Sequence, residues 1–591
     1  YSSAASDVYK RQALTAALVE ARRVAEFGFT ASEFDRARKD ALSMLEKQYT
    51  NRDKRTNTQL FNQILGNFLN NDCLPSIDFS YRVMKQVLPT LNVDMINAMF
   101  KEYITMNDSN MVIMNFNVEK EGAAYPTQES LLAAVEAARK AEVTAYVDNV
   151  KNEPLIQKLP KAGKIKKETE NKTLGFKELT LSNGARVLLK KTNLKEGEVI
   201  MNASSKGGSS LYDLKDRVNL ELFDAVIAYS GLGNFSSTEL QKVLAGKNAN
   251  VNLHLGKLHE YTSGNCTPKD METMFQMNYL YFTNIKKDEQ AIGNLLNQYK
   301  MALKNKALSP ESALSDSLQY TLHAHNPWYY SLEEKDIDNV NYDRILQIAK
   351  ERTANAADFT FTIIGNFDEA LVRKYIEQYI ASLPSVKKGK KYVHENWKPY
   401  SVYAKGNVEN IFKRKQETPK SNIYMFWYNN DTPYTLDNSI KADAAGQILD
   451  MVYLKTIREE QSAAYSASAA GFSQLGSDQP WTAIYGYCPV KPEKKDIAIK
   501  IMRDEFQKLS TTIDADMLNK TKDLMLKQYE DALKTNGYWL GVIKDYDEFG
   551  VDKDTDYRSL VKALNPASVA QFVKANLIGK NSVSVIMLPQ E

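Results

Sequence analysis

The chain has 591 residues, 43% of them apolar and 25% charged, and its 76 basic and 73 acidic residues leave a net charge of +3. That length predicts several domains, and the composition is that of folded globular protein rather than of disordered or fibrous chains. So even a charge balance lacks the concentrated basic face that nucleic acid requires.

In chain order, Tyr1 to Gln12 (YSSAASDVYKRQ) is polar, has no initiator methionine and no signal-peptide apolar region. It reads as a non-native scar, with helical periodicity beginning at Ala13. Glu33 to Tyr49 reads as a charged amphipathic helix capped by Ser32. Met517 to Tyr529 reads the same way behind Asp516. Residues 151–173, with Pro154, Pro160 and a lysine run, read as a solvated linker. A second linker, 385–405, carries Lys387, Lys388, Lys390 and Lys391. Between them LTLSNGARVLLKK predicts a β-hairpin turning at Asn183-Gly184 in a type I′ geometry. Three cysteines, Cys73, Cys266 and Cys488, form no CxxC pair and read as mostly buried thiols. No apolar run reaches the roughly 18 to 20 residues of a membrane span. The glycines of Gly207-Gly208 and Gly231-Leu232-Gly233 are not followed by Lys-Ser/Thr, so they predict turns rather than phosphate loops.

Internal similarity organises these pieces. Leu88 to Phe116 predicts a turn, a helix (Val93, Ile96, Phe100) and a short strand at Met111 to Met114. Leu564 to Pro589 repeats that plan, ending in a strand at Val583 to Met587, and residues 341–365 repeat it again with a strand at Phe359 to Ile364. The repeat is a whole domain. The expected fold is α+β, in tandem related domains that each pack helices on one face of a mixed or antiparallel sheet.

Four stretches carry a resemblance to a known family. They are LSNGARVLLKKTNLKEGEVIMNASSKGGSS, GLGNFSSTELQKVLAGK, GNCTPKDMETMFQMNYLYFTN, and the region from Asn422 to Pro589. With Gly28-Phe29-Thr30 and EFDRARK they resemble, in order, long-chain zinc peptidases of the pitrilysin/insulinase family. The resemblance implies that 13–150 is part of the second family domain, 174–384 a catalytically degenerate third domain and 406–591 the fourth. It also implies the metallohydrolase fold of the mitochondrial processing peptidase, four domains closing like a clamshell around a peptide. The zinc motif of that family is H-x-x-E-H, where two imidazoles one turn apart and a distal carboxylate leave a position for water.

This sequence has no such motif. Its five histidines are His254, His259, His323, His325 and His394, and none opens H-x-x-E-H or H-E-x-x-H. The expectation is therefore no metal or cofactor in this chain, with Zn²⁺ belonging to the intact parent. The segment LKTIREEQSAAYSASAAG resembles the family's Arg-x6-Tyr element, placing Arg458 and Tyr465 as auxiliary catalytic contacts. A guanidinium can fork onto a substrate carbonyl and a phenol can donate to a developing oxyanion. The strand in ETPKSNIYMFWYNN sets Tyr424, Phe426 and Tyr428 on alternate positions, read as a substrate-binding sheet edge. The resemblance implies a C-terminal portion of a zinc metalloendopeptidase, inactive alone, with peptide as substrate and the N-terminal half as partner. The alternative is a naturally non-catalytic or peptide-binding subunit completing the site of a separate zinc-bearing chain. Exported, periplasmic location is the family expectation.

Overall fold

The computed structural model describes residues 3–104, 111–116, 125–385, 402–464, 466–476 and 479–590. They divide into two compact units, Tyr1–Pro154 with Thr238–Asn248, and Leu155–Ser237 with Ala249–Glu591.

The first unit is helical. Its helices Ser3–Phe27, Ala31–Thr50, Asn57–Asn70, Ile77–Val87, Val93–Tyr103 and Gln128–Lys140 are mostly closed at their N-termini by short polar caps. Thr30 and Glu33 form a reciprocal capping box, as do Thr56 and Gln59. The first helix starts at Ser3 rather than Ala13. The cap of the second is Thr30 rather than Ser32, whose hydroxyl instead donates to Asp148. Asp148 is the polar centre of this unit, accepting at 2.5 Å from Arg36 and at 2.7 Å from Lys242 with its own side chain 2% exposed. Residues 111–116, predicted to hold a strand, are irregular. A strand needs a ladder partner, and among the described residues none pairs with this stretch. Cys73 is exposed, whereas Cys266 and Cys488 are buried.

The second unit holds two large sheets. The first contains β1 (Ile165–Asn171), β2 (Phe176–Leu181), β3 (Arg186–Lys191), β4 (Val199–Lys206), β6 (Ala249–Leu255), β7 (His259–Cys266) and β9 (Thr360–Gly365). A short ribbon is formed by β5 (Gly231–Leu232) and β8 (Ile285–Lys286). The second sheet contains β10 (Asn407–Arg414), β11 (Ser421–Asn429), β12 (Ser468–Gln474), β13 (Trp481–Val490) and β14 (Asn581–Pro589). Their orders are β1-β2-β3-β9-β4-β7-β6 and β10-β14-β11-β13-β12.

These orders reveal the repeat. β3, β4, β6, β7 and β9 pair in the same sequence and sense as β10, β11, β12, β13 and β14, including one parallel pair in each, β3 with β9 and β10 with β14. A helix precedes each parallel strand, Tyr342–Thr353 before β9 and Pro566–Asn576 before β14. The α+β repeat expected from the sequence is thus present in the topology.

Three local readings change. Ile165–Asn171, inside the stretch read as a linker, is the edge strand β1, charged because both its faces are largely solvated. The hairpin turns through Ser182, Asn183 and Gly184, with only Gly184 at positive φ (92°). Gly184 N–H donates to Leu181 C=O and Leu181 N–H to Ala185 C=O, so a three-residue turn replaces the expected type I′ turn. The helix Ala515–Ala532 is capped by Asp514 rather than Asp516, because the Asp514 carboxylate reaches Met517 N–H.

Each sheet packs helices of its own repeat on one face. In the second sheet, Ile423, Met425 and Trp427 point into that core, with Trp427 stacked on Phe506 at 3.9 Å. The helix Leu436–Tyr453 crosses β12 so closely that a Cβ on Gly446 would fall 1.9 Å from Gly471 N. The other faces exchange helices. Leu314, Leu318 and Leu322 of the helix Pro310–Leu322 pack on the second sheet, and Val542 and Ile543 of the helix Asn536–Phe549 pack on the first.

Candidate peptide-binding site

Strand β11 is the starting point, and it is not an edge. It pairs with β13 on one side and β14 on the other. Its backbone groups are committed to two ladders, so a peptide cannot add to it, which corrects the edge reading. Its alternation does put Tyr424, Phe426 and Tyr428 on one face, opposite the helix-covered core.

The three rings have different environments. Tyr428 is fully buried, its hydroxyl donates to Ala404 C=O, and burial pushes its phenol up. It serves packing, which corrects its reading as a substrate contact. Phe426 stacks on Tyr485 at 5.1 Å and forms part of a cavity wall. Tyr424 is half-buried and stacks on Tyr487 at 4.4 Å, and Tyr487 in turn donates to Asn422 at 2.9 Å. Phe472 and Trp481 extend the aromatic face, with ring centroids 4.9 Å apart. The sequence carried a signal for this extension, since Trp481, Tyr485 and Tyr487 keep one parity along β13.

Two cavities border the exchanged helices. One, of about 390 Å³, is lined by Phe426, Trp481, Tyr403, His323, Tyr329 and Lys257 among others. The other, of about 280 Å³, is polar, with Arg186, Lys206, His259, Lys544, Asp547 and Glu548 in its wall. There Arg186 makes a forked pair with Asp547, and His259 meets Glu548 at 2.6 Å. Burial works to raise the Glu548 carboxyl, but the His259 hydrogen bond and nearby lysines hold it below its ordinary value. These pairings clasp the helix Asn536–Phe549 to the first sheet.

Arg458 lies at the end of the helix Leu436–Tyr453, where the chain widens into the π-wound turn Leu454–Glu460. Buried Ile457 anchors that turn, and Ser462, at φ 48°, reverses the chain so that Ala464 bridges to Val490 of β13. Arg458 itself is exposed, and among the described residues no carboxylate pairs with its guanidinium. Single π turns recur at functional positions because the extra residue re-aims a side chain. Tyr465 lies outside the described residues.

Among the described residues the donor set does not fit zinc. No group of three His, Cys, Asp or Glu side chains among them converges as a metal site would. His254 binds Asp224 and Ser263, His259 binds Glu548, and His323 Nδ1 meets Val402 C=O at 3.0 Å. His325 packs on Tyr320, and His394 lies outside the described residues. No described helix is long and apolar enough to cross a membrane.

Residues 339–525 match the profile described as the Peptidase M16 inactive domain. A protein named "Zinc protease PQQL-like" from Arabidopsis thaliana is 20% identical over 551 residues, 90% of this chain and 54% of the relative. "Probable zinc protease PqqL" of Escherichia coli (strain K12) is 24% identical over 469 residues, 79% of this chain and 49% of that protein. The chain therefore spans about half the length of each. The crystal structure of the periplasmic protease PqqL from Escherichia coli superposes with a TM-score of 0.65 at 20% identity, covering 98% of this chain and 63% of that one. The ferredoxin protease FusC in complex with Arabidopsis ferredoxin gives 0.66 at 15% identity, with the same coverage.

Proposed function

We propose, from the premise that this chain belongs to the pitrilysin/insulinase-type (M16) peptidase family, that it forms the substrate-handling wall of a zinc endopeptidase whose H-x-x-E-H segment lies elsewhere. The carrying observation is Arg458, an exposed guanidinium with no described carboxylate partner, inside the matched inactive-domain stretch. In this reading 13–150 belongs to the second family domain, 174–384 is a degenerate third and 406–591 a fourth. Zinc held by a segment outside this chain would supply an activated water. Beside it, Arg458 would orient the scissile carbonyl through forked hydrogen bonds, and Tyr465 would donate a hydrogen bond to that carbonyl's oxygen. Tyr424 and Phe426 offer ring faces to apolar substrate side chains. The described histidines serve structure.

The PqqL structure comes from a periplasmic protease, and an exported location accompanies this reading. The FusC structure holds a protein substrate, which supports polypeptide as the substrate class.

The test has two arms. The purified chain alone is expected to carry no stoichiometric zinc and to leave fluorogenic peptides intact. In an assembly that supplies the zinc segment, Arg458→Ala and Tyr465→Phe are each expected to lower kcat about 10²- to 10³-fold, with smaller changes in KM. The expectation holds whether that segment comes in cis or from a second chain. Unchanged turnover in both variants would reject the assignment.

A further inference from the structure

The helix Asn57–Asn70 has a counterpart in the second unit. It runs for 14 residues from the N-cap Thr56 to a left-handed C-cap at Asn71, φ 58°. The helix Asn536–Phe549 likewise runs for 14 residues, from Thr535 to a left-handed Gly550, φ 68°. Their neighbours correspond as well. Each follows a long helix, Ala31–Thr50 or Ala515–Ala532, and precedes a shorter one, Ile77–Val87 or Tyr557–Ala563. Next in each comes an 11-residue helix behind an asparagine N-cap, Asn92 before Val93–Tyr103 and Asn565 before Pro566–Asn576. The apolar stripes share one spacing. Phe61, Ile64, Leu65 and Phe68 stand at i, i+3, i+4 and i+7, as do Trp539, Val542, Ile543 and Tyr546, which places each set on one helix face.

The stripe in the second unit is one of the two that are exchanged there. Trp539, Val542, Ile543 and Tyr546 pack with Leu188 and Ile364 on the outer face of the first sheet. The helix Pro310–Leu322, at the same place in the preceding repeat, covers the second sheet through Leu314, Leu318 and Leu322. In the first unit the stripe has no such cover among the described residues, and Phe61, Ile64, Phe68 and Leu69 are each more than half exposed. Both sheets of the second unit already hold their exchanged helix, so neither outer face is left for a third. A contiguous apolar stripe in water marks an interaction surface. The polar side of the helix narrows the kind. From Asn57 to Asn70 there is no Asp, Glu, Lys or Arg, and the polar positions are amides and Thr58. A helix made to lie on lipid carries lysine or arginine there, and a face that steers a charged partner carries charge. A neutral flank suits a helix that a sheet closes over.

We propose that Asn57–Asn70 is an exchange helix whose stripe docks on the outer face of a sheet of this same α+β plan in the zinc-bearing segment. The relatives have length enough for such a sheet, since about half of each lies outside the match. The inference rests on the proposed function for the identity of that segment, and on neither Arg458 nor bound zinc for its chemistry.

Thiol labelling with dithionitrobenzoate reads the docking without reading turnover. Phe68→Cys and Gln63→Cys, on opposite sides of the helix, are each made in the full chain with Cys73→Ser, which leaves only the buried Cys266 and Cys488 besides the probe. Both sites are exposed, so thermal unfolding of the chain should not shift. In the assembly that supplies the zinc segment, the Phe68→Cys thiol should react at least about a hundredfold more slowly than in the chain alone. The Gln63→Cys thiol should keep its rate. Phe61→Asp combined with Phe68→Asp should weaken binding of the zinc segment at least about a hundredfold, and Gln63→Asp should leave it unchanged. Equal labelling of Phe68→Cys in chain and assembly, or equal protection of both thiols, would overturn the docking. Protection of Phe68→Cys that grows with concentration in the chain alone would assign the stripe to a second copy and overturn the sheet as its partner. Protection of Phe68→Cys in an assembly whose turnover ignores Arg458→Ala would uphold the docking and reject the Arg458 assignment.

Discussion

The two compact units spend their apolar residues differently. In the second, Phe275, Phe361, Ile423 and Ile448 are at most 1% exposed, and sheets, own-repeat helices and exchanged helices close around them. In the first, caps define the helices well, yet Phe61 is 58% exposed, Phe68 82% and Leu69 66%. Local signals are thus enough to start and stop a helix, whereas burying its stripe takes a partner layer. The first unit is held instead by polar latches. Arg22 donates to the carbonyls of Ala138, Arg139 and Ala141 at 2.7 to 3.0 Å, and Asn97 takes both the N–H and C=O of Phe29.

The largest effect is expected where the second unit hides a charge. Glu260 and Arg352 are 2% and 5% exposed, and the carboxylate accepts from Gly208 N–H at 2.8 Å. Removing one member of a buried pair costs about 3 to 5 kcal/mol, so Glu260→Ala should destabilise the second unit by that amount, read as a lower urea midpoint at unchanged m. Burial, outweighing the nearby Arg352, pushes the Glu260 carboxyl up to about 7 from 4.5. Between those values the folded state holds more protons than the unfolded one, so this group's contribution is full at low pH and lost as pH rises toward 7. Glu260→Gln should flatten that part of the stability profile. A profile unchanged by the substitution would show that the carboxyl titrates normally.

A smaller effect, of opposite pH sign, is expected in the first unit. Burial works to raise the Asp148 carboxyl, but hydrogen bonds from Arg36, Lys242 and Ser32 hold it well below the usual aspartate range. Its stabilisation is therefore present above the ordinary aspartate pKa and lost as pH falls through the lower folded value. Asp148→Asn should cost about 1.5 to 3 kcal/mol at neutral pH, the range for hydrogen bonds to charged groups. Limited proteolysis should then nick residues 1–154 first. Equal protection in wild type and variant would mean that the latch is not what orders this unit.

What the sequence told was local. Helices, the repeat and the turn at Gly184 follow from periodicity and turn chemistry. The cap at Thr30 was within reach too, since Thr30 and Glu33 have capping-box spacing. The alternation of Tyr424, Phe426 and Tyr428 was legible, but their fates were not. Those depend on the helix Pro310–Leu322 and on Tyr403 and Ala404, which reach the same sheet face from distant parts of the chain. The edge reading of β11 failed for a related reason: strand order is set by a parallel pair that the last strand completes. Arg458 was singled out by the motif it resembles, while its exposure depends on the π turn, which no periodicity marks.

The smallest effect tests the comparison most directly. If the apolar stripe of Asn57–Asn70 meets solvent, Phe68→Ser removes a ring that buries little, and stability should change by less than about 0.5 kcal/mol. Binding of a hydrophobic dye should fall, because exposed rings rather than core rings recruit it. The same measurement on Phe361→Ala, a fully buried position, should cost about 3 to 5 kcal/mol. A loss above about 1 kcal/mol for Phe68→Ser would exceed what an exposed side chain can supply. It would mean that the stripe is covered in solution, by a second copy or by another protein layer. Sedimentation across a range of concentrations then distinguishes these, since only self-association makes the loss depend on the amount of chain present.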